Sequence, residues 1–261
     1  MLGKHNDHIA LPRSALLTFS ESGLFRYLDF ADNKIHKGSA SNYNTEIDYY
    51  SQIVESNLHD FETHMGRVRK ALMEFHATKS EFIYPDGLKD DVIAWIAIQT
   101  IRHKDFAKKV KQGSIIPEIM NSSDDERNFS PLHLGNTKVQ KAIGLYRRGL
   151  SSHRINIAII DQSCTLTWCL TPNYYVCHNN AFFFPLSPHE ALALLPDSSP
   201  PLPEIWTAEG DIVQAFIRFK KDEEIQPLLH TYIRSAKKHS LQHLIGLKPC
   251  LERIQQLSID S

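Results

Sequence analysis

Apolar positions between Tyr49 and Phe75 follow a strict rhythm. Val54, Leu58, Phe61, Met65, Val68 and Leu72 recur at alternating steps of four and three. That spacing holds them on one helical face, so a long helix is expected here, with Asp48 at its N-cap. A second helix is expected from about Asp86 to Lys111, preceded by Pro85 and closed by Gly113. Its segment VIAWIAIQTI, from Val92 to Ile101, is apolar on almost every side, the pattern of a helix buried all round. A third, Thr137–Gly149, ends in Arg147, Arg148 and Gly149, which suit a helix C-terminus.

Alternation marks the strands. Ala15–Phe19 and Leu24–Phe30 read as a pair of strands joined by a turn at Glu21–Gly23, with a second turn at Ala31–Lys34 leading towards Ile35. On the second strand Leu24, Arg26, Leu28 and Phe30 share one face, and Phe25, Tyr27 and Asp29 the other. Strands resume at Ile155–Ile160, Thr165–Leu170, Tyr174–Cys177 and Ala181–Leu186. Pro185 is expected to end the last of these, and Ser187 to cap a short helix, His189–Leu195. Pro196–Glu204 is a proline-rich connector to a helical C-terminal region, 205–261, with Ile225, Leu229, Tyr232, Ala236 and Ser240 on one stripe. The expected class is α+β: a single domain in which a small antiparallel sheet packs against a helical bundle with long central helices.

Composition narrows the classes. Of 261 residues, 42% are hydrophobic and 23% charged, enough apolar material for a core and too much for disorder. Lys and Arg number 29 against 30 Asp and Glu, so a global polyelectrolyte footprint is absent and only local basic patches remain. The four cysteines, Cys164, Cys169, Cys177 and Cys250, form no C-x-x-C and read as reduced, mostly buried thiols. The N-terminal residues lack the apolar run of a signal peptide, and no segment reaches the roughly 18 apolar residues of a bilayer span. A cytoplasmic location without a membrane partner is expected; the sequence sets no oligomeric state. The polar stretch Asn121–Asn128 reads as a loop.

Several blocks carry a likeness. Pro12, Leu16 and Phe19 precede a strand. Tyr49-Tyr50 leads into the helix holding Glu55 and Glu62, Arg102 closes IAIQTIR, and Phe184-Pro185-Leu186-Ser187-Pro188 follows a strand. In this order, over about residues 8–190, they resemble the bacterial domain-of-unknown-function family 4238. The resemblance implies a shared fold and brings no established activity. Where that family has a His three residues before the first Pro, this chain has Ile9, with His8 beside it. Its Ser-Asp-Asn-Pro corresponds here to Thr171-Pro172-Asn173-Tyr174, without the Asp.

Candidate chemistry is scattered. Glu55, His59 and Glu62 share a helical face at i, i+4 and i+7, a spacing open to a divalent metal but read here as a solvated flank of the apolar stripe that binds no structural metal. His239 and His243 stand at i, i+4 without the Glu of H-E-x-x-H. Arg148 and His153 match R-x4-H, in which His would act as general acid or base and Arg would stabilise phosphate charge. Lys104, Lys108, Arg147 and Arg154 are cations suited to a phosphate backbone. No P-loop, G-x-S-x-G or G-x-G-x-x-G occurs, and neither cofactor nor metal is expected. The sequence thus leads to a cytoplasmic bacterial protein acting on nucleic acid or nucleotide phosphate, nuclease-like, in a toxin or phage-defence role. His8, Arg102, Glu62, Arg148 and His153 would carry the chemistry and the four cations the binding. The alternative is a non-catalytic binding or regulatory protein on the same fold, so whether the chain is an enzyme stays open.

Overall fold

The apolar stripe of the first long helix is filled by a second helix. In the computed structural model the described residues are 6–8, 11–43, 45–47, 52–78, 84, 86–102, 144–196, 205–207, 215–237 and 242–259. Within them, the side chains of 6–8, 45–47, 52–60, 78, 98–102, 205–207 and 215–216 are outside the description. The chain divides into two compact units where one domain was expected. The first is Met1–Asp7 with Glu46–Ser152, the second His8–Thr45 with His153–Ser261. Strands β1 (Asn6–His8) and β5 (Thr45–Ile47) pair with each other where the units divide.

In the first unit, helix α2 spans Gln52–Thr78 and α3 spans Leu88–Arg102. Phe61, Met65, Val68 and Leu72 are buried along α2, as their spacing requires. On α3, Val92, Ile93, Trp95, Ile96 and Ala97 are all buried, so this helix is covered on most sides. The Phe61 and Trp95 rings stack at 4.1 Å, and His64 Nδ1 meets Asp91 Oδ2. Asp90 and Asp91 in the first turn of α3 suit the positive end of its dipole. Residues 144–149 are helical, the end of the expected third helix. They are fastened to the start of α3 by Arg147 Nε–Asp90 Oδ1 at 3.3 Å and by Lys89 Nζ donating to the Ser151 carbonyl at 2.7 Å. Among the described residues the long helices form a pair rather than a bundle. The Asn121–Asn128 stretch lies outside the described residues.

The second unit holds the strands. It has two sheets, the larger of them six-stranded and mixed. Its members are β6 (His153–Ile160), β7 (Val176–His178), β8 (Ala181–Pro185), β9 (Glu190–Pro196), β10 (Ile205–Thr207) and β11 (Ala215–Phe219). The order is β10-β11-β6-β9-β8-β7, with β11 parallel to β6 and the other neighbours antiparallel. The expected helix at His189–Leu195 is therefore strand β9. Ala191–Leu195 is buried on both faces between β6 and β8, and that burial overrides the helix propensity of Ala and Leu. Ser187 accordingly caps no helix: its Oγ accepts from the His189 amide at 3.3 Å and donates to Glu190 Oε2 at 3.2 Å, bracing the β8–β9 turn. Pro185 closes β8.

The smaller sheet is built around β3 (Leu24–Asp29). Strand β4 (Lys34–Ser39) pairs along its whole length, while β2 (Ser20–Glu21) and β12 (His243–Ile245) share its other edge. The two-residue β2–β3 turn, Ser22-Gly23, has positive φ at both positions, as a tight hairpin needs. Ala15–Phe19 is no strand: most of it lies in helix α1, Arg13–Thr18. Ala15, Leu16 and Phe19 are buried while Leu17 is exposed, a helical rather than alternating pattern. Thr165–Leu170 forms no strand and makes one bridge, Leu170 to Ile245. The expected helical region 205–261 does contain helices α4 (Asp222–Lys237) and α5 (Lys248–Ile259), with Ile225, Leu229, Tyr232 and Ala236 buried. It also supplies β10, β11 and β12, which complete both sheets. Cys169 and Cys250 are buried free thiols 3.7 Å apart, Cys164 is half-buried and Cys177 exposed. No helix among the described residues is long and apolar enough to cross a membrane.

Where β7 meets α4, His178 Nε2 accepts from Asn179 Nδ2 at 3.1 Å and Nδ1 meets Thr231 Oγ1 at 2.9 Å. Burial, and then the charge of Arg234, lower its pKa from 6.5. The folded state then binds this proton less readily than the unfolded chain. Its contribution to stability is present above pH 6.5 and is lost as the pH falls below it. Thermal melts across that range should show Tm falling on acidification, and His178→Gln should shrink the fall. An equal fall in the variant would remove His178 from the account.

Candidate functional site

Alternation along β3 sends Phe25, Tyr27 and Asp29 to one face, as the sequence implies. Register then decides their company. On β4, Tyr27 is opposite His36 and Asp29 opposite Lys34; on β12, Asp29 is opposite His243 and Tyr27 opposite Ile245. Directly opposed residues share a face, so His243, Asp29, Tyr27 and His36 form one polar and aromatic surface. The Tyr27 ring stacks on His36 at 5.5 Å and packs against His243 at 4.7 Å. Beyond β4 the chain turns at Ser39–Tyr43, where the Tyr43 amide donates to the Ser39 carbonyl at 3.0 Å. This turn sets the Tyr43 ring edge-on against Phe25, centroids 5.0 Å apart, and its hydroxyl 2.7 Å from His243 Nδ1.

The β3–β4 turn is held from both sides. Asp29 Oδ1 accepts from the Ala31 amide at 2.8 Å, and Asp32 Oδ1 from the Lys34 amide at 3.0 Å. Asn33 takes a left-handed φ of 53°, which Asn tolerates better than most residues. Its carbonyl accepts from Gln255 Nε2 and its side chain from Ser258 Oγ, both on α5. So anchored, the turn brings Asp32 Oδ2 to 2.9 Å from His36 Nε2, while His243 Nε2 stands 3.3 Å from Asp29 Oδ2. One donor atom each of Asp29, Asp32 and His36 lies within 4.8 Å of the other two. Donors about 2.1 Å from a shared ion stand roughly 3–4 Å apart, so modest side-chain adjustment closes this set on a divalent cation. Two oxygens and a nitrogen also leave further coordination positions to water or a ligand.

The electrostatics divide the cluster. At Asp32, desolvation works against the charge, but the hydrogen bonds from His36 and the Lys34 amide outweigh it and hold the carboxyl below its ordinary range. Burial lowers His243 more than the neighbouring Asp29 raises it, which favours the neutral ring. Burial pushes the Tyr43 phenol far up, and Tyr27 and Asp29 add to the shift, so it keeps its proton.

Of the residues singled out in the sequence, His243 belongs to this cluster. His8 ends β1 and Arg102 ends α3, with both side chains outside the described residues. Lys104, Lys108 and His239 fall outside them altogether, as do the side chains of Glu55 and His59; Glu62 is half-buried on α2. Arg148 is exposed in the first unit. His153 opens β6 in the second, 8% exposed, with Nε2 donating to the Asn180 carbonyl at 3.1 Å and Nδ1 buried without a partner. The R-x4-H pair is thus split between helix end and strand. Arg147 is engaged by Asp90, and Arg154 is exposed on β6. Of the His239/His243 pair, His243 sits on a strand rather than a helix. Asp29, Asp32, His36 and Tyr43 were missed as a set. A signal was present in the D-x-x-D-x-x-x-H run across an expected turn, but His243 comes from 200 residues beyond Tyr43.

No protein-family model matches the chain, nor does any curated protein or solved structure. The family resemblance read in the sequence rests on its motifs alone.

On the same face, a Cβ at Gly38 would lie 2.7 and 2.9 Å from carbons of the buried Phe25 ring, which packs edge-on against Tyr43. Gly38→Ala should overpack the contact and lower stability by about 1–3 kcal/mol in urea unfolding. An unchanged midpoint would mean that Phe25 yields and does not fix Tyr43.

Proposed function

We propose that this protein binds a divalent cation through Asp29, Asp32 and His36 and uses it on a phosphate-bearing ligand, a nucleotide in preference to an extended nucleic acid. The observation that carries the reading is the convergence of those three donor atoms within 4.8 Å. Two carboxylates this close repel one another, and a cation relieves the repulsion. A mixed oxygen and nitrogen set suits manganese or zinc. Such an ion polarises a phosphoryl oxygen and acidifies a bound water, the two needs of phosphate-ester chemistry. Lys34, exposed and opposite Asp29, adds positive charge for an incoming phosphate. A nucleotide is preferred because Arg147 is already engaged by Asp90, which weakens the case for an extended basic track.

Titration calorimetry of chelator-treated protein with manganese chloride tests this. One ion per chain is expected, with a stabilisation of about 2.7 kcal/mol at a hundredfold excess over Kd. Asp32→Asn, at an exposed position, and His36→Gln, at a half-buried one, should abolish it. Hydrolysis of bis(4-nitrophenyl) phosphate should require the ion. Binding without hydrolysis would favour the non-catalytic binding or regulatory reading, and absence of binding would overturn the proposal.

A further inference from the structure

We propose that Tyr43 and His243 are positioning residues for that cation, a two-step hydrogen-bonded relay that fixes the tautomer of His243 and through it the Asp29 carboxylate. The inference rests on the cation reading and adds residues that do not themselves ligate.

Tyr43 Oη lies 2.7 Å from His243 Nδ1, and His243 Nε2 lies 3.3 Å from Asp29 Oδ2. A neutral imidazole carries one N–H and one lone pair. If Nδ1 held the proton, the Nε2 lone pair would face the carboxylate oxygen, and the two would repel. If the Tyr43 hydroxyl donates to Nδ1, the ring proton sits on Nε2 and points at Asp29. For a ring with one N–H, only this second arrangement satisfies all three groups, and a ring with both protons likewise presents Nε2–H to Asp29. Asp29 Oδ1 is meanwhile held by the Ala31 amide at 2.8 Å. Both oxygens are therefore tied, and each keeps a lone pair for an ion.

Packing supports the same assignment. Tyr27 lies against His243 at 4.7 Å and Tyr43 at 5.8 Å, so neither ring can turn without displacing it. The Asp29 and His243 side chains are 25% and 20% exposed, against 43% and 39% for Asp32 and His36. Asp29 is the anchored ligand, and the outer pair is the adaptable one that closes when the ion arrives. Outer partners of this kind commonly set metal affinity by about 10–100-fold.

Manganese affinity measured on wild type, Tyr43→Phe, His243→Leu and His243→Gln separates the roles. Glutamine can accept from Tyr43 through its carbonyl and donate to Asp29 through its amide. His243→Leu should weaken binding about 10–100-fold and Tyr43→Phe roughly tenfold, with His243→Gln within about threefold of wild type. A merely structural role would lower the metal-free Tm of the variants and leave affinity in the folded protein unchanged. If His243→Leu does not fold, the contrast of Tyr43→Phe with His243→Gln carries the test. Wild type that binds no manganese overturns the cation reading itself. Wild type that binds, with affinity unchanged in Tyr43→Phe and His243→Leu, overturns the relay alone.

Discussion

The antiparallel register of β3 against β4 and β12 governs the smaller sheet. Through it Asp29 stands opposite Lys34 on one side and His243 on the other, and Tyr27 opposite His36 and Ile245. A slip of one residue on either side would send every side chain of the slipped strand to the other face. With a slip of β12, Leu244 would leave the core, where it is fully buried, and His243 would leave Asp29. Burying one such leucine contributes about 1.5–3 kcal/mol, so the apolar face enforces the register on which the polar face relies. The turns lock it further: Ser22-Gly23 closes one hairpin, and Asn33, held by α5, closes the other.

The larger sheet solves a different problem. With β6 and β8 on either side and Ala191–Leu195 covered on both faces, β9 is a wholly buried strand. Aromatic packing extends this core: Trp168 stacks on Phe183 at 5.2 Å and meets Phe219 edge-on at 5.8 Å, joining an irregular segment to β8 and β11. Gly246 is demanded by closeness rather than by conformation. A Cβ there would lie 2.7 Å from the Cys169 sulfur, so the chain leaving β12 passes close over the buried thiol.

On the polar face the groups sort by depth. Those nearest the core, Tyr43 and His243, are kept in their neutral forms by burial and can pass hydrogen bonds without storing charge. Asp32 at the hairpin tip is exposed and held ionised by its hydrogen bonds, and His36 on β4 is half-buried beside it. Asp29 stands between, touching both groups. Across this face the groups thus grade from buried and neutral to exposed and charged.

Long-period patterns were legible from the chain alone. The α2 stripe, the all-round apolar character of α3, the alternation of β3 and the stripe of α4 each follow from local spacing, because a helix or strand repeats its geometry regardless of what covers it. The two turns flanking β3 were legible for the same reason, since Gly and Asn mark the positive φ that such turns need. Tertiary structure decided the rest. Whether Ala191–Leu195 was helix or strand depended on partners on both sides, and its composition alone favoured the wrong one. The helical reading of the C-terminal region missed β11 and β12 because their pairing partners, β6 and β3, lie far back in the chain. The same long-range pairing carries His243 to Asp29. The sequence holds every residue of that cluster, but only the register of strands distant in the chain makes them neighbours, and no local period encodes it.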